Sequence, residues 1–506
     1  MKRILRYAVI ISFITIVVFL GLFRIVNFDF GWHLKAGEYI VTNRSIPTHD
    51  VFSYIAEGNK WVDSHWLFQL ALFGWYVLGG TTGVILFRIL LLTLTFLILL
   101  FTIYREEYLP VSILVCLFPL FISFQRFLLR PELFTFLFLA LFLYGMEHFS
   151  EHPRLFLVLI PLCQALWANM HGLHILGVVF VFLYLLGDGI QVVLSGRTSF
   201  IDPISVTGRE WKQRGLLLVL TGGALLANAN GMEGILYPFK IFQELTTKQT
   251  VFSRITELVS PFAMKHVRFP DPSIIYKIFL VISILVILCR LRHVRFAHLF
   301  PFAAFLYLSV LAVRNMPLFA IIATPITIHN VFGILDFFAQ GRARVCIFRP
   351  SVFAAASACL ILLIGLLCAC IATNGLYRRL QYLRAFGLGE SDYYPAEAVE
   401  YLRDMDFEGN IFNSSDIGGY LIWKLYPRKQ VSLDGRWEVY GDFLNTLQQL
   451  QNAYYFTQLM IRYNIQVIVL HKRSWELQLM TPWLRVSRVW AMTMNTTNAV
   501  VFERRM

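Results

Sequence analysis

Apolar runs close to 20 residues recur along the chain, separated by short polar turns. A helix of about 20 residues spans the ~30 Å hydrocarbon core of a bilayer. The pattern therefore predicts about eleven crossing helices, near 7–26, 84–103, 109–125, 132–148, 155–169, 173–194, 215–229, 274–290, 297–313, 317–337 and 352–373. Two further apolar stretches, Trp66 to Leu78 and Leu236 to Phe242, are too short to cross and read as interfacial or re-entrant. Beyond about Asn374 the pattern turns mixed. "GNIFNSSDIGGYLIWKLYPRKQVSLDGRWEVYGD" reads as a short strand, a Gly-Gly turn into a short helix, and a second strand; "YNIQVIVL" and "NAVVFERR" read as two more strands.

The expected fold is a polytopic α-helical membrane protein with a small C-terminal α/β domain. The transmembrane domain covers residues 1–373, with a first outer loop at 27–83, and the α/β domain covers 374–506. The first run follows Met-Lys-Arg-Ile-Leu-Arg without a small-x-small site after it, so it reads as an uncleaved span whose basic end stays in the cytoplasm. Inner loops then hold Arg105, Arg154, Arg197, Arg209, Lys212, Arg214, Arg290, Arg292, Arg295, Arg342, Arg344 and Arg349, as the positive-inside bias requires. An odd number of spans sends the C-terminal domain outside.

Composition agrees with this reading: 57% of residues are hydrophobic and 15% charged, more apolar than a soluble core needs. The net charge of +13 comes from Lys and Arg dispersed among the loops, with no basic stripe for nucleic acid. The seven cysteines lie in or beside apolar runs without metal-ligand spacing, so packing is their expected role.

Every predicted outer turn carries polar chemistry. The first loop contains Asp29, His33, Asp50 and His65; the later turns bring Arg126 and Arg130, then Asn169 and His171, then Asn230, then Arg314. Ionisable groups at span ends are costly unless they are paired or face a wet cavity, so their gathering on one side points to a site. Arg126, Arg130 and Arg314 suit a phosphate, because guanidinium binds its oxygens bidentately and keeps its charge. Asp29 and Asp50, with His33 in reach, suit a general base or a hard cation such as Mg or Mn, although no ligand cluster demands a metal. His33 lies four residues after Asp29, on the same face of any helix that runs through both. Trp32 suits a sugar ring or a membrane interface, and His65, Asn169, His171 and Asn230 are candidate substrate contacts. In the tail, Asp434 and Arg436 either recognise an acceptor or fix a tight turn, and the turn is the better-supported reading. "SSDIGGYL", residues 414–421, lacks the spacing of a dinucleotide loop.

The stretch "FDFGWHLKAGEYI", followed by "IPTHDVFSY" and "WVDSHWLFQL", resembles the first outer loop of the GT-C superfamily of membrane glycosyltransferases. The likeness is greatest to bacterial members related to the protein mannosyltransferase and lipid A glycosyltransferase branches. The resemblance implies transfer of a sugar from a polyprenyl-phosphate donor to a lipid, glycan or protein acceptor outside the cytoplasm, with inversion at the anomeric carbon. It implies that Asp29 activates the acceptor or organises a metal, and that the protein sits in a bacterial inner membrane. One departure is Phe30, which follows Asp29 where several GT-C families carry a second acid; Asp50 could supply that carboxylate from the same loop. Two other classes stay open: a transporter or lipid flippase, which predicts charges near mid-membrane and repeats, and a non-catalytic scaffold for envelope assembly.

Overall fold

A computed structural model describes every residue except 1, 198–200, 248–255, 266, 340–349 and 506. The expected basic loop of Arg342, Arg344 and Arg349 lies outside the described residues, as does Cys346. The first helices are α1 (Lys2–Gly21), α2 (Asp29–Asn43) and α3 (Trp66–Thr102), the last broken at Gly79 and Gly80. Next come α4 (Leu109–Ser123), α5 (Glu132–Glu147), α6 (Pro153–Met170), α7 (Ile175–Ser195), α8 (Gly208–Ala224) and α9 (Gly231–Thr247). The apolar series ends with α10 (Pro272–Cys289), α11 (Phe296–Leu311), α12 (Met316–Ala339) and α13 (Pro350–Ala372).

Each of the eleven expected spans falls on one of these helices. Eight helices among the described residues are long and apolar enough to cross a bilayer, and this is an integral membrane protein. Local signals place several starts. Thr207 and Glu210 close a capping box on α8, and Asp271 accepts the Ser273 N–H at 2.8 Å just before Pro272 opens α10. The stretch from Trp66 to Leu78 is the first piece of α3, ending at the glycine break rather than standing alone.

The chain divides into two compact units. The first comprises Met1–Phe23, Ile85–Pro238 and Ser253–Gly387, and the second Arg24–Val84, Phe239–Phe252 and Leu388–Met506. In the second unit the first outer loop therefore belongs with the C-terminal segment. Its longer elements beyond that loop are α14 (Ala396–Asp404), β1 (Asn410–Asn413), α15 (Gly418–Leu425), α16 (Ala453–Arg462), β2 (Ile465–His471), α17 (Trp475–Leu484), β3 (Trp490–Asn495) and β4 (Ala499–Arg504).

The sheet has the order β1-β2-β4-β3, with β1 parallel to β2 and the other pairs antiparallel. β2 is buried along nearly its whole length, which suits its apolar run "IQVIVLH" at the centre of the sheet. The strand expected around Val431 is only a single parallel bridge to Ser53, and β3 was not foreseen. Val431 pairs instead with the first outer loop: its N–H donates to Phe52 O at 3.1 Å, and the Tyr54 N–H donates back to Val431 O at 3.2 Å.

Candidate functional site

The second unit is built around the start of α2. Asp29 is the first residue of that helix, where aligned peptide dipoles favour a carboxylate. Asn27 accepts the Asp29 N–H at 3.2 Å, and Tyr394 donates its hydroxyl to Asn27 O at 2.8 Å, so the approach to the helix is held from both sides. α2 then crosses α15 at backbone contact. A β-carbon on Gly31 would stand 2.1 Å from Gly419 O, one on Gly419 would stand 2.3 Å from Phe28 O, and one on Gly418 would stand 1.9 Å from Leu433 O, so the glycines of "SSDIGGYL" admit close backbone approach.

The loop "SLDGRW" lies on the same helix end. A β-carbon on Gly435 would stand 2.2 Å from Asp29 Oδ1 and 3.6 Å from the Trp32 Nε1. Its neighbours fix that loop. Asp434 accepts the Arg436 backbone N–H at 2.8 Å, its Nε–H at 3.0 Å, its Nη2–H at 2.6 Å and the Tyr440 hydroxyl at 2.9 Å. Arg436 also pairs with Asp50, whose other oxygen accepts the Ser53 N–H at 2.8 Å. The guanidinium lies 4.7 Å from the Trp61 ring centre and 5.0 Å from that of Phe52.

Burial pushes the Asp50 carboxyl up, and Arg436 opposes that push. Burial would likewise lower Arg436, but Asp434 and Asp50 outweigh it and hold the guanidinium charged, well above its ordinary range. Asp50, Asp434 and Arg436 are thus almost wholly enclosed and committed to one another. Asp434 and Arg436 thus fix a loop, the reading the sequence favoured for them, and Asp50, expected as a second site carboxylate, is paired with Arg436 inside the unit.

His33 and Trp32 follow Asp29 on α2. Their rings lie 3.6 Å apart between centres, and His33 meets His65 at 5.7 Å and Phe68 at 5.2 Å, edge to face. Burial pulls His65 down to about 4, so it is neutral at physiological pH. The accompanying Asp63 is pushed by burial up to about 7, while it accepts the His65 N–H and the Gln69 amide, each at 3.0 Å. His33, Trp32 and His65 therefore form the aromatic floor beneath the helix start. Of the candidates in this loop, Asp29 alone retains partial exposure of a charged group at the helix tip.

The first unit collects the arginines. Arg126 donates Nε–H to Glu132 Oε1 at 2.8 Å and Nη2–H to Oε2 at 2.7 Å, and it pairs with Glu257. Arg130 reaches the same Glu257 oxygen at 3.2 Å, and Arg314 stands within electrostatic reach of that carboxylate. The three expected phosphate binders do come together, with two carboxylates that sequence reasoning had not assigned to them. Arg384, also missed, donates Nη1–H to Phe124 O at 2.6 Å and a second N–H to Gln125 O, supporting the turn that carries Arg126.

Asn169 and His171 have local work instead. Asn169 donates to Ala165 O at 2.8 Å and Ala227 O at 2.7 Å and accepts the Ala229 N–H at 3.0 Å, tying α6 to the turn that carries Asn230. His171 Nδ1 lies 2.7 Å from the Thr135 hydroxyl, which also accepts the Trp167 indole N–H at 2.9 Å. Asn169 and His171, grouped above with the candidate substrate contacts, thus each bond to a neighbouring turn or helix. Among the described residues no three His, Cys, Asp or Glu side chains gather as a metal site.

The sequence reading put the polar groups at one end of the helices. A second buried network lies at the other end of α5, roughly 22 Å from Glu132 at 1.5 Å per residue. Glu147 pairs with His298 at 2.6 Å and accepts the Tyr184 hydroxyl at 3.3 Å; Asp188 pairs with Arg214 and, at 2.8 Å, with Arg295. These pairs join α5, α7, α8 and α11 or its leading residue. Every member has a partner on another helix or beside it.

No family model matches the chain, and no curated protein does. Solved structures do. The chain is similar to the Archaeoglobus fulgidus oligosaccharyltransferase tethered with an acceptor peptide containing the NVT sequon, with a TM-score of 0.57 and 12% identity over 99% of this chain and 74% of that one. It is similar to ArnT from Cupriavidus metallidurans in the apo state, with a TM-score of 0.56 and 12% identity over 98% of this chain and 97% of that one. This chain has the GT-C fold. The archaeal AglB in complex with an inhibitory peptide and a dolichol-phosphate also shares it, with a TM-score of 0.54 and 12% identity over 95% of this chain and 71% of that one. At this identity the GT-C likeness establishes the fold; the reaction has to be argued from the residues.

Proposed function

We propose that this protein is an integral membrane glycosyltransferase that moves a sugar from a polyprenyl-phosphate donor to a lipid, glycan or protein acceptor on the outer side of a bacterial inner membrane. The observation that carries the proposal is Asp29, partly exposed at the tip of α2 and pressed against Gly435 by a loop anchored on a buried Asp50–Arg436–Asp434 set. A carboxylate at a fixed helix start suits an acceptor-activating base, because misplacement of about 1 Å costs on the order of 100-fold in rate. Arg126, Arg130 and Arg314 supply the charge that a lipid phosphate needs, and the dolichol-phosphate bound to the AglB relative is a ligand of that class. The part of the second unit drawn from residues 388–506 would select the acceptor.

The test uses purified wild type and Asp29→Asn, matched for thermal stability, with a panel of polyprenyl-phosphate sugars and detection of released polyprenyl phosphate. Turnover by wild type and its loss in Asp29→Asn is the expected result. Equal turnover by both would remove Asp29 from the chemistry. Turnover of no donor by either, with solute or lipid movement in liposomes, would favour the transporter reading.

A further inference from the structure

The Arg126 cluster uses its two carboxylates differently. Glu132 lies six residues from Arg126, takes two parallel bonds from it, and both side chains are buried, so this pair is a fixed support. Glu257 arrives from a distant part of the chain and leaves 30% of its side chain exposed. A single oxygen, Oε2, is shared between Arg126 Nη1 and Arg130 Nη1. Its neighbour Arg314 is brought alongside by the Val313 N–H, which donates to Val259 O at 2.9 Å.

One carboxylate oxygen shared by guanidiniums is an anion subsite filled by a minimal anion. A carboxylate brings one charge and two oxygens, as does the phosphodiester of a polyprenyl-phosphate sugar, whereas the phosphate monoester released on transfer brings nearly two charges and three acceptor oxygens. Three arginines against Glu132 and Glu257 leave one net positive charge; with Glu257 withdrawn they leave two, enough for the donor's diester and matching the released monoester. We infer that Glu257 is an internal substitute for phosphate, occupying the subsite while no lipid phosphate is bound and yielding it when one arrives. This rests on the proposed reading of the arginines as the donor's phosphate site. The exchange does two things: it keeps three like charges from facing one another in the empty protein, and it weakens the hold on the product phosphate so that it can leave.

The experiment measures binding of undecaprenyl phosphate to the full chain in nanodiscs, for wild type, Glu257→Gln, Glu257→Ala, Glu132→Gln and Arg126→Ala. Removing a competing anion should tighten binding by about tenfold in both Glu257 variants. Glu132→Gln, which removes a support, should weaken it. Inorganic phosphate should show the same gain at far lower affinity, because the competition is at the phosphate. Unchanged or weaker binding in both Glu257 variants, or a gain confined to the lipid, overturns the inference. Equal binding by wild type and Arg126→Ala would instead remove the phosphate-site reading beneath it.

Discussion

Asp29 and Gly435 are in close contact: a β-carbon at position 435 would stand 2.2 Å from Asp29 Oδ1, so a larger residue there must displace the carboxylate. The contact joins the tip of a helix in the first outer loop to a turn in the C-terminal segment, and it makes the carboxylate's position a property of the whole second unit.

Gly435→Ala should therefore act on turnover and spare donor binding. We expect kcat to fall by about 100-fold, with the affinity for the polyprenyl-phosphate donor within about threefold of wild type. Steady-state kinetics of polyprenyl phosphate release, set beside donor binding, checks this; a variant with wild-type kcat would show that the carboxylate tolerates displacement.

Arg436 neutralises two enclosed carboxylates, so Arg436→Met leaves both unpaired. Breaking a buried pair this way costs about 3–5 kcal/mol, and chemical unfolding followed by the fluorescence of the nearby Trp32 and Trp61 should register it. Arg436→Lys should recover only part of the loss, since an ammonium cannot repeat the forked bonds to Asp434.

Glu476 is wholly buried in the second unit and accepts the Ser415 N–H at 2.9 Å and its hydroxyl at 2.6 Å. Burial, followed by the charge of Asp416, pushes its carboxyl up to about 7. A carboxyl raised on folding contributes stability below its unfolded value, and that contribution is lost as pH rises from the ordinary range through about 7. Glu476→Gln should thus match wild type near pH 4 and exceed its melting temperature by a few degrees at pH 8. An identical pH dependence in both proteins would count against an ionising Glu476.

Asp188 holds Arg214 and Arg295 at the far end of the first unit. Asp188→Asn should cost on the order of 3 kcal/mol in stability while leaving undecaprenyl phosphate affinity within about twofold. Thermal unfolding in detergent alongside a binding titration separates the two; a large loss of binding at unchanged stability would make this network part of a ligand path.

The crossing helices were legible because a bilayer leaves the chain no other choice: unpaired backbone groups cannot face hydrocarbon, so spans must be long apolar helices and the polar residues are pushed to their ends. Asp29 was legible for the same reason, as an acid placed directly after such a run. The strand at Val431 was misread because β propensity is satisfied there by one bridge to Ser53, a partner that local pattern cannot reveal.

By itself, then, the sequence determined that this is a membrane protein of many helices with an acid after the first and arginines at later turns, since those features follow from local hydropathy and charge. Only the tertiary structure decided what each charge does. Asp50 and Arg436 read as separate candidates until they are seen as one buried pair, and Glu257 carried no signal until it appeared between Arg126 and Arg130. Pairing of this kind depends on desolvation and on partners far along the chain, and neither is written into local periodicity.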